Sequence, residues 1–81
     1  MAVLQQNNKY IRFIQVQKLP KTEVYAVITT VGDSILGHVK WFGSWRQYAF
    51  FPTINTVFEK QCLRDIANFC EEITKIHKDK K

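Results

Sequence analysis

Cys62, Cys70, His38 and His77 are the side chains of this sequence best suited to nucleophilic or metal chemistry, and their spacing argues against both. A cysteine beside a histidine can act as a nucleophile. Cys62 and Cys70, however, lie in one stretch of helical periodicity, which sets their backbones about 12 Å apart along the axis. A disulfide spans less than about 7 Å between Cα atoms, so the two cannot pair with each other. Cys70 and His77 stand two helical turns apart, about 10 Å, too far to share an ion. No Cys-x-x-Cys or His-x-x-x-His spacing occurs. There is no phosphate-cradling glycine loop, nucleophile elbow or paired-carboxylate pattern. The expectation is a protein without catalytic residues, metal or cofactor, whose two thiols are buried structural groups of a reducing compartment.

What remains is the chemistry of rings and cations. In the run Trp41-Phe42-Gly43-Ser44-Trp45-Arg46-Gln47-Tyr48-Ala49-Phe50-Phe51-Pro52, six of the twelve residues are aromatic, and Lys40 and Arg46 stand beside them. Bases stack on such rings for about 1–3 kcal/mol each, while Arg and Lys hold phosphates. The same residue types are enriched at protein–protein interfaces. Two structural alternatives stay open. Trp41, Tyr48 and Phe50 could be core beneath a helix. Arg46 could pair with Asp65 or Glu59, or lie over an indole.

Elements to carry these residues follow from periodicity. Lys9 to Gln17 alternates and reads as a strand. Lys18-Leu19-Pro20-Lys21-Thr22 is a turn, because Pro20 interrupts any ladder. Glu23 to Thr30 is rich in β-branched residues and forms the second strand. Val31-Gly32-Asp33-Ser34 is the next turn. Ile35 to Phe42 is a third strand, with Gly37 marking a bulge or a close backbone approach. Gly43-Ser44 reads as a two-residue turn into a fourth strand, Trp45 to Phe51, which Pro52 ends. Thr53 to Phe58 connects, with room for a short extra strand at Thr56-Val57-Phe58.

From about Glu59 the period becomes helical. Cys62, Leu63, Ile66, Ala67, Phe69, Cys70, Ile73, Ile76 and His77 form one apolar stripe. Thr56 and Glu59 have the spacing of a capping box, unless Thr56 ends a strand and the helix starts later. The predicted fold class is α+β: a four-stranded antiparallel sheet in the order β-β-β-β-α, with one C-terminal helix on one face. One helix leaves the other face of the sheet bare. Rings from both alternation sets are available to it, and an exposed apolar patch of that kind marks an interface.

Size and charge set the remaining bounds. Eighty-one residues make one domain. The expected organisation is a loose polar N-terminus over 1–8, a single domain over 9–78 and a basic tail over 79–81. The N-terminus lacks the basic start and apolar stretch of a signal peptide, and no run is long enough to span a membrane, so a cytoplasmic protein is expected. The net charge is +5; residues 1–54 hold six basic and two acidic side chains, residues 55–81 six basic and five acidic. The basic excess thus lies in the aromatic half and favours a polyanionic partner.

The segments Gly37 to Pro52, Thr56-Val57-Phe58 and Cys62 to Phe69 resemble a group of small, functionally uncharacterised proteins of bacteriophages, prophages and some bacteria. Members share a Trp-Arg-Gln-Tyr core, a Phe-Phe-Pro end and a Cys-Leu-x-Asp-Ile helix. The resemblance covers about residues 23–74 and implies a phage-type origin. In that group an Asn or Ser often stands where this chain has Glu59, as a helix N-cap. Small phage proteins often block a host protein, which the resemblance brings in as a partner class.

Together these features predict a non-catalytic binding protein. Its working surface is expected on the solvent face of the sheet, formed by Arg12, Lys40, Trp41, Trp45, Arg46 and Tyr48. Single-stranded nucleic acid is the first expectation for its partner. A host protein that it inhibits or modulates, or a second copy of the chain, is the alternative.

Overall fold

The computed structural model of the chain describes residues 10–79. The loose N-terminus expected over 1–8 and the end of the basic tail, Lys80 and Lys81, lie outside the described residues. The elements are β1 (Ile11–Lys18), β2 (Glu23–Thr29), β3 (Ile35–Phe42), β4 (Gln47–Pro52) and α1 (Lys60–Asp79). The strands form one antiparallel sheet in the order β1-β2-β3-β4. The α+β class and the single C-terminal helix are therefore as the periodicity predicts.

Local chemistry explains each reversal. Between β1 and β2 the Leu19 amide donates to Thr22 O at 2.8 Å, and Pro20 supplies a φ suited to the turn. Between β2 and β3 the chain turns through Gly32 (φ 84°) and Asp33 (φ 52°), residue types that tolerate the left-handed region. Thr29 locks this turn, its hydroxyl donating to Val31 O at 2.7 Å and accepting from the Ser34 amide at 3.0 Å.

The β3–β4 turn differs from the two-residue reversal expected at Gly43-Ser44. It spans residues 43–46, with the Trp45 amide on Phe42 O at 3.1 Å and the Arg46 amide on Gly43 O at 3.2 Å. Phe42 pairs with Gln47, so β4 starts two residues later than the composition indicated. The left-handed position falls on Arg46 (φ 55°) rather than on the glycine. Overlapping turns of this kind close a four-residue hairpin loop.

Gly37 meets both expectations placed on it. Val27 pairs with Gly37 and Ile28 with Ile35, so Leu36 is the extra residue of a bulge. A Cβ on Gly37 would lie 2.6 Å from Phe51 O and 2.7 Å from the Phe50 ring. The Phe50 side chain therefore occupies the place a larger residue would fill.

The helix begins later than a Thr56–Glu59 capping box would allow. Residues 56–59 are irregular and form no extra strand. Thr56 Oγ1 donates to Thr53 O at 2.8 Å, which leaves Glu59 as the N-cap, accepting the Gln61 amide. The Leu63 amide closes the first helical bond on Glu59 O at 3.1 Å. Of the predicted stripe, Cys62, Ile66, Phe69 and Ile73 are buried. Leu63 stays 50% exposed and Ala67 is exposed as well, so the buried face is narrower than the predicted stripe.

Phe69 sits at the centre of the core, 1% exposed. Its ring stacks on Phe13 at 4.1 Å and meets the edge of Tyr25 at 5.1 Å. Burial of one such side chain stabilises the fold by about 1.5–3 kcal/mol. The helix also reaches the outer strand. The Tyr48 amide donates to Thr74 Oγ1 at 2.9 Å, and Pro52 has no amide to offer, so helix and sequence together blunt the β4 edge.

Candidate functional site

The pleat decides which rings face the helix and which face away. Side chains alternate along a strand, so registered partners share a face. Trp41 pairs with Tyr48 and Val39 with Phe50, all on the helix side. Lys40 pairs with Ala49, His38 with Phe51 and Phe42 with Gln47, all on the open side. Ile14, Ala26, His38 and Phe51 form a continuous row across the open face from β1 to β4.

Three rings line one end of that face. Trp45 and Phe42 meet edge to face at 4.7 Å, and Phe42 and Phe51 at 6.0 Å. The Lys40 ammonium stands 4.6 Å above the Phe51 ring. Such a contact holds the cation over the ring face while its remaining donors stay in water. Trp45 is 65% exposed. An indole held on edge by a neighbouring ring, with a cation nearby, suits stacking of a flat ligand.

Of the six residues expected on the working surface, the structure brings Arg12, Lys40 and Trp45 to the open face. Arg12 shares the ladder position of Ile28 and bonds Asp33 Oδ1 at 3.0 Å. Both partners are more than half exposed, and a pair of this kind contributes about 0–1 kcal/mol.

Trp41 and Tyr48 must be corrected to the covered face. Tyr48 is 3% exposed. Its hydroxyl accepts the Glu23 amide at 3.1 Å and donates to Glu23 Oε1 at 3.3 Å. Burial, and then the charge of Glu23, push the Tyr48 phenol above its ordinary pKa. Trp41 meets the edge of Tyr48 at 5.4 Å and is closed over by His77 at 4.5 Å. The physical reason is the final turns of α1, which need flat apolar partners at this end of the sheet. These two rings have the right parity to supply them.

Arg46 lies apart from both groups. It lines a cleft with Lys21, Thr22, Trp41, Gly43, His77 and Lys78. Neither carboxylate considered for it is at that end: Glu59 caps the start of α1, and Asp65 accepts Gln61 Nε2 at 3.1 Å.

Phe42 and Phe51, which were among the rings available to the bare face but not among the six expected on the working surface, join the open face. A usable signal was present. A mid-strand lysine needs solvent, so the parity of Lys40 assigns Phe42 to the open side and Trp41 to the other.

The surroundings of both thiols favour the protonated form. Burial, then Glu59 and Asp65, push the Cys62 thiol up. Burial and Glu71 push Cys70 up to about 11. Among the described residues no cluster of His, Cys, Asp and Glu has the geometry to hold a metal ion. Among them, too, no helix is long and apolar enough to cross a membrane.

No family model matches the chain, and no solved structure matches it. One curated protein, an uncharacterised 9.3 kDa protein of Acholeplasma phage L2, is 30% identical over 69 residues, covering 83% of this chain and 87% of that protein. At that identity and coverage the chain belongs to the family of that small phage protein.

Proposed function

We propose that the protein is a non-catalytic phage-type binding module acting in the host cytoplasm, and that its open sheet face takes single-stranded nucleic acid. The observation that carries this reading is the line of Trp45, Phe42 and Phe51 with Lys40 poised over Phe51. Stacking is tolerant of sequence, because every base has a π-face, and the cations track the backbone. Arg12 can exchange its exposed bond to Asp33 for a phosphate at small cost. The net charge of +5 favours the same partner.

A second reading is supported by the other half of the face. Ile14 and Ile35 are exposed there, which suits a host protein or a second copy of the chain.

Fluorescence anisotropy with a labelled mixed-sequence single strand, at low and moderate salt, distinguishes the two. Binding is expected to weaken with salt, with Lys40→Ala reducing the log–log slope by about 0.7. Trp45→Ala is expected to weaken binding about tenfold or more. Absence of binding at low salt, or indifference to Trp45→Ala, overturns the nucleic-acid reading and directs attention to a protein partner.

A further inference from the structure

We propose that the cleft between the β1–β2 turn, the β3–β4 turn and the last turn of α1 is a phosphate-binding site, separate from the open sheet face. Three elements distant in sequence bring Lys21, Arg46, His77 and Lys78 to one cleft of about 590 Å³, with no carboxylate among its lining residues. Clefts of this size accommodate a phosphate together with the group it is attached to.

The cations are available. Among the described residues, Lys21, Arg46 and Lys78 have no carboxylate partner; the ion pairs at Arg12–Asp33 and Lys18–Glu23 draw on other side chains. Glu23, two positions from Lys21, is already engaged by Lys18 and by the Tyr48 hydroxyl. His77 and Lys78 complement the negative end of the helix dipole. Lys21 and Arg46 come from other elements and exceed that need.

Arg46 carries the second observation. It holds a left-handed φ of 55°, in a turn where Gly43 three positions earlier does not. The hairpin loop asks for this conformation at its last position, and an arginine rather than a glycine fills it. Arg46 lines the cleft together with Trp41, whose ring lies against His77 at 4.5 Å. A planar fork with two lysines beside it matches a phosphate, which it can hold through paired N–H donors. The ligand is thus a phosphate group, whether free or at the end of a nucleic-acid strand.

The test is an NMR titration of the labelled full chain with inorganic phosphate, against chloride at matched ionic strength. A parallel series uses a short single strand with and without a 5′-phosphate. Saturable shifts are expected at Lys21, Thr22, Arg46, His77 and Lys78. Arg46→Gln and Lys78→Gln are each expected to weaken the response about tenfold, the scale of one charge-assisted hydrogen bond. Trp45→Ala should leave it unchanged, which separates this site from the open face. A gain in affinity from the 5′-phosphate assigns the site to strand ends. Saturation by inorganic phosphate without that gain assigns it to free phosphate. A response that matches chloride, or that survives both charge-removing substitutions, overturns the proposal.

Discussion

Trp41 and Trp45 stand four positions apart in sequence and on opposite faces of the sheet. Trp41 is sealed against His77 at 4.5 Å, whereas Trp45 projects from the hairpin turn onto Phe42 at 4.7 Å. The turn over residues 43–46 produces this division, because its extra residues carry Trp45 past the end of the ladder. One indole therefore belongs to the fold and the other to a surface.

Alanine at the two positions should have opposite consequences. Trp45→Ala is expected to change stability by less than about 1 kcal/mol, since the side chain is largely in water. Trp41→Ala is expected to cost about 2–3 kcal/mol, below the range for a fully buried tryptophan. Chemical denaturation of both variants, followed by far-UV circular dichroism, measures the difference.

Thr74 ties the helix to the sheet edge through the Tyr48 amide. Thr74→Val keeps the shape and removes the acceptor, leaving that amide unpaired at a cost of about 1–3 kcal/mol. Thr74→Ser keeps the hydroxyl and should recover most of the loss. Urea midpoints for the pair check the assignment.

Gly37 has no room for a side chain, with Phe51 O 2.6 Å and the Phe50 ring 2.7 Å from an added Cβ. Phe50 also packs edge to face on Phe58 at 5.3 Å, which restricts its escape. Gly37→Ala is expected to destabilise the protein by about 2–3 kcal/mol, the scale of overpacking. A melting temperature equal to that of the parent would show that Phe50 moves freely.

Arg46 offers a gain of stability. Glycine adopts the left-handed region without the roughly 1–2 kcal/mol steric penalty of other residues, offset in part by its unfolded-state entropy. Arg46→Gly is expected to raise stability by about 0.5–1 kcal/mol while removing the guanidinium from the cleft. A thermal melt and a phosphate titration on the same variant should move in opposite directions.

Alkaline pH should unfold the protein through its buried phenols. Burial, then Glu23 and Tyr48, push Tyr25 up to about 12, and Tyr48 is raised for similar reasons. The folded state thus holds these protons after the unfolded chain has released them. For Tyr25 the stabilisation is complete below about pH 10 and falls as pH rises toward about 12, by at most about 1.4 kcal/mol per unit, and Tyr48 acts in the same direction. Denaturation midpoints across that window, compared with Tyr25→Phe, give the slope.

The strands were legible where alternation and punctuation agreed. Ile35–Phe42 is bounded by Gly32-Asp33-Ser34 on one side and Gly43 on the other, and the strand fills the interval. The faces were harder to read, because both parities of β3 and β4 are apolar: Trp41 and Tyr48 on one side, Phe42 and Phe51 on the other. The arrival of α1, a long-range event, decides between them, and Lys40 is the local residue whose parity points the same way. The turn at 43–46 misled because composition points to Gly43 for the unusual backbone, while the chain places it on Arg46. The Thr74 bond to β4 leaves no trace in a helical stripe, since a single threonine at that spacing looks like solvent-facing filler. The cleft cations were individually visible, but their convergence depends on which ends of the hairpins and helix meet.

The most direct test of the open face is a two-dimensional NMR titration of the labelled chain with mixed-sequence single-stranded DNA and RNA that carry no terminal phosphate. The account predicts salt-sensitive shifts at the Trp45 indole and at the amides of Lys40, Phe42 and Phe51, while the Trp41 indole stays still at low ligand ratios. Silence of the Trp45 indole at low salt, or shifts centred on the helix-covered face, would contradict it.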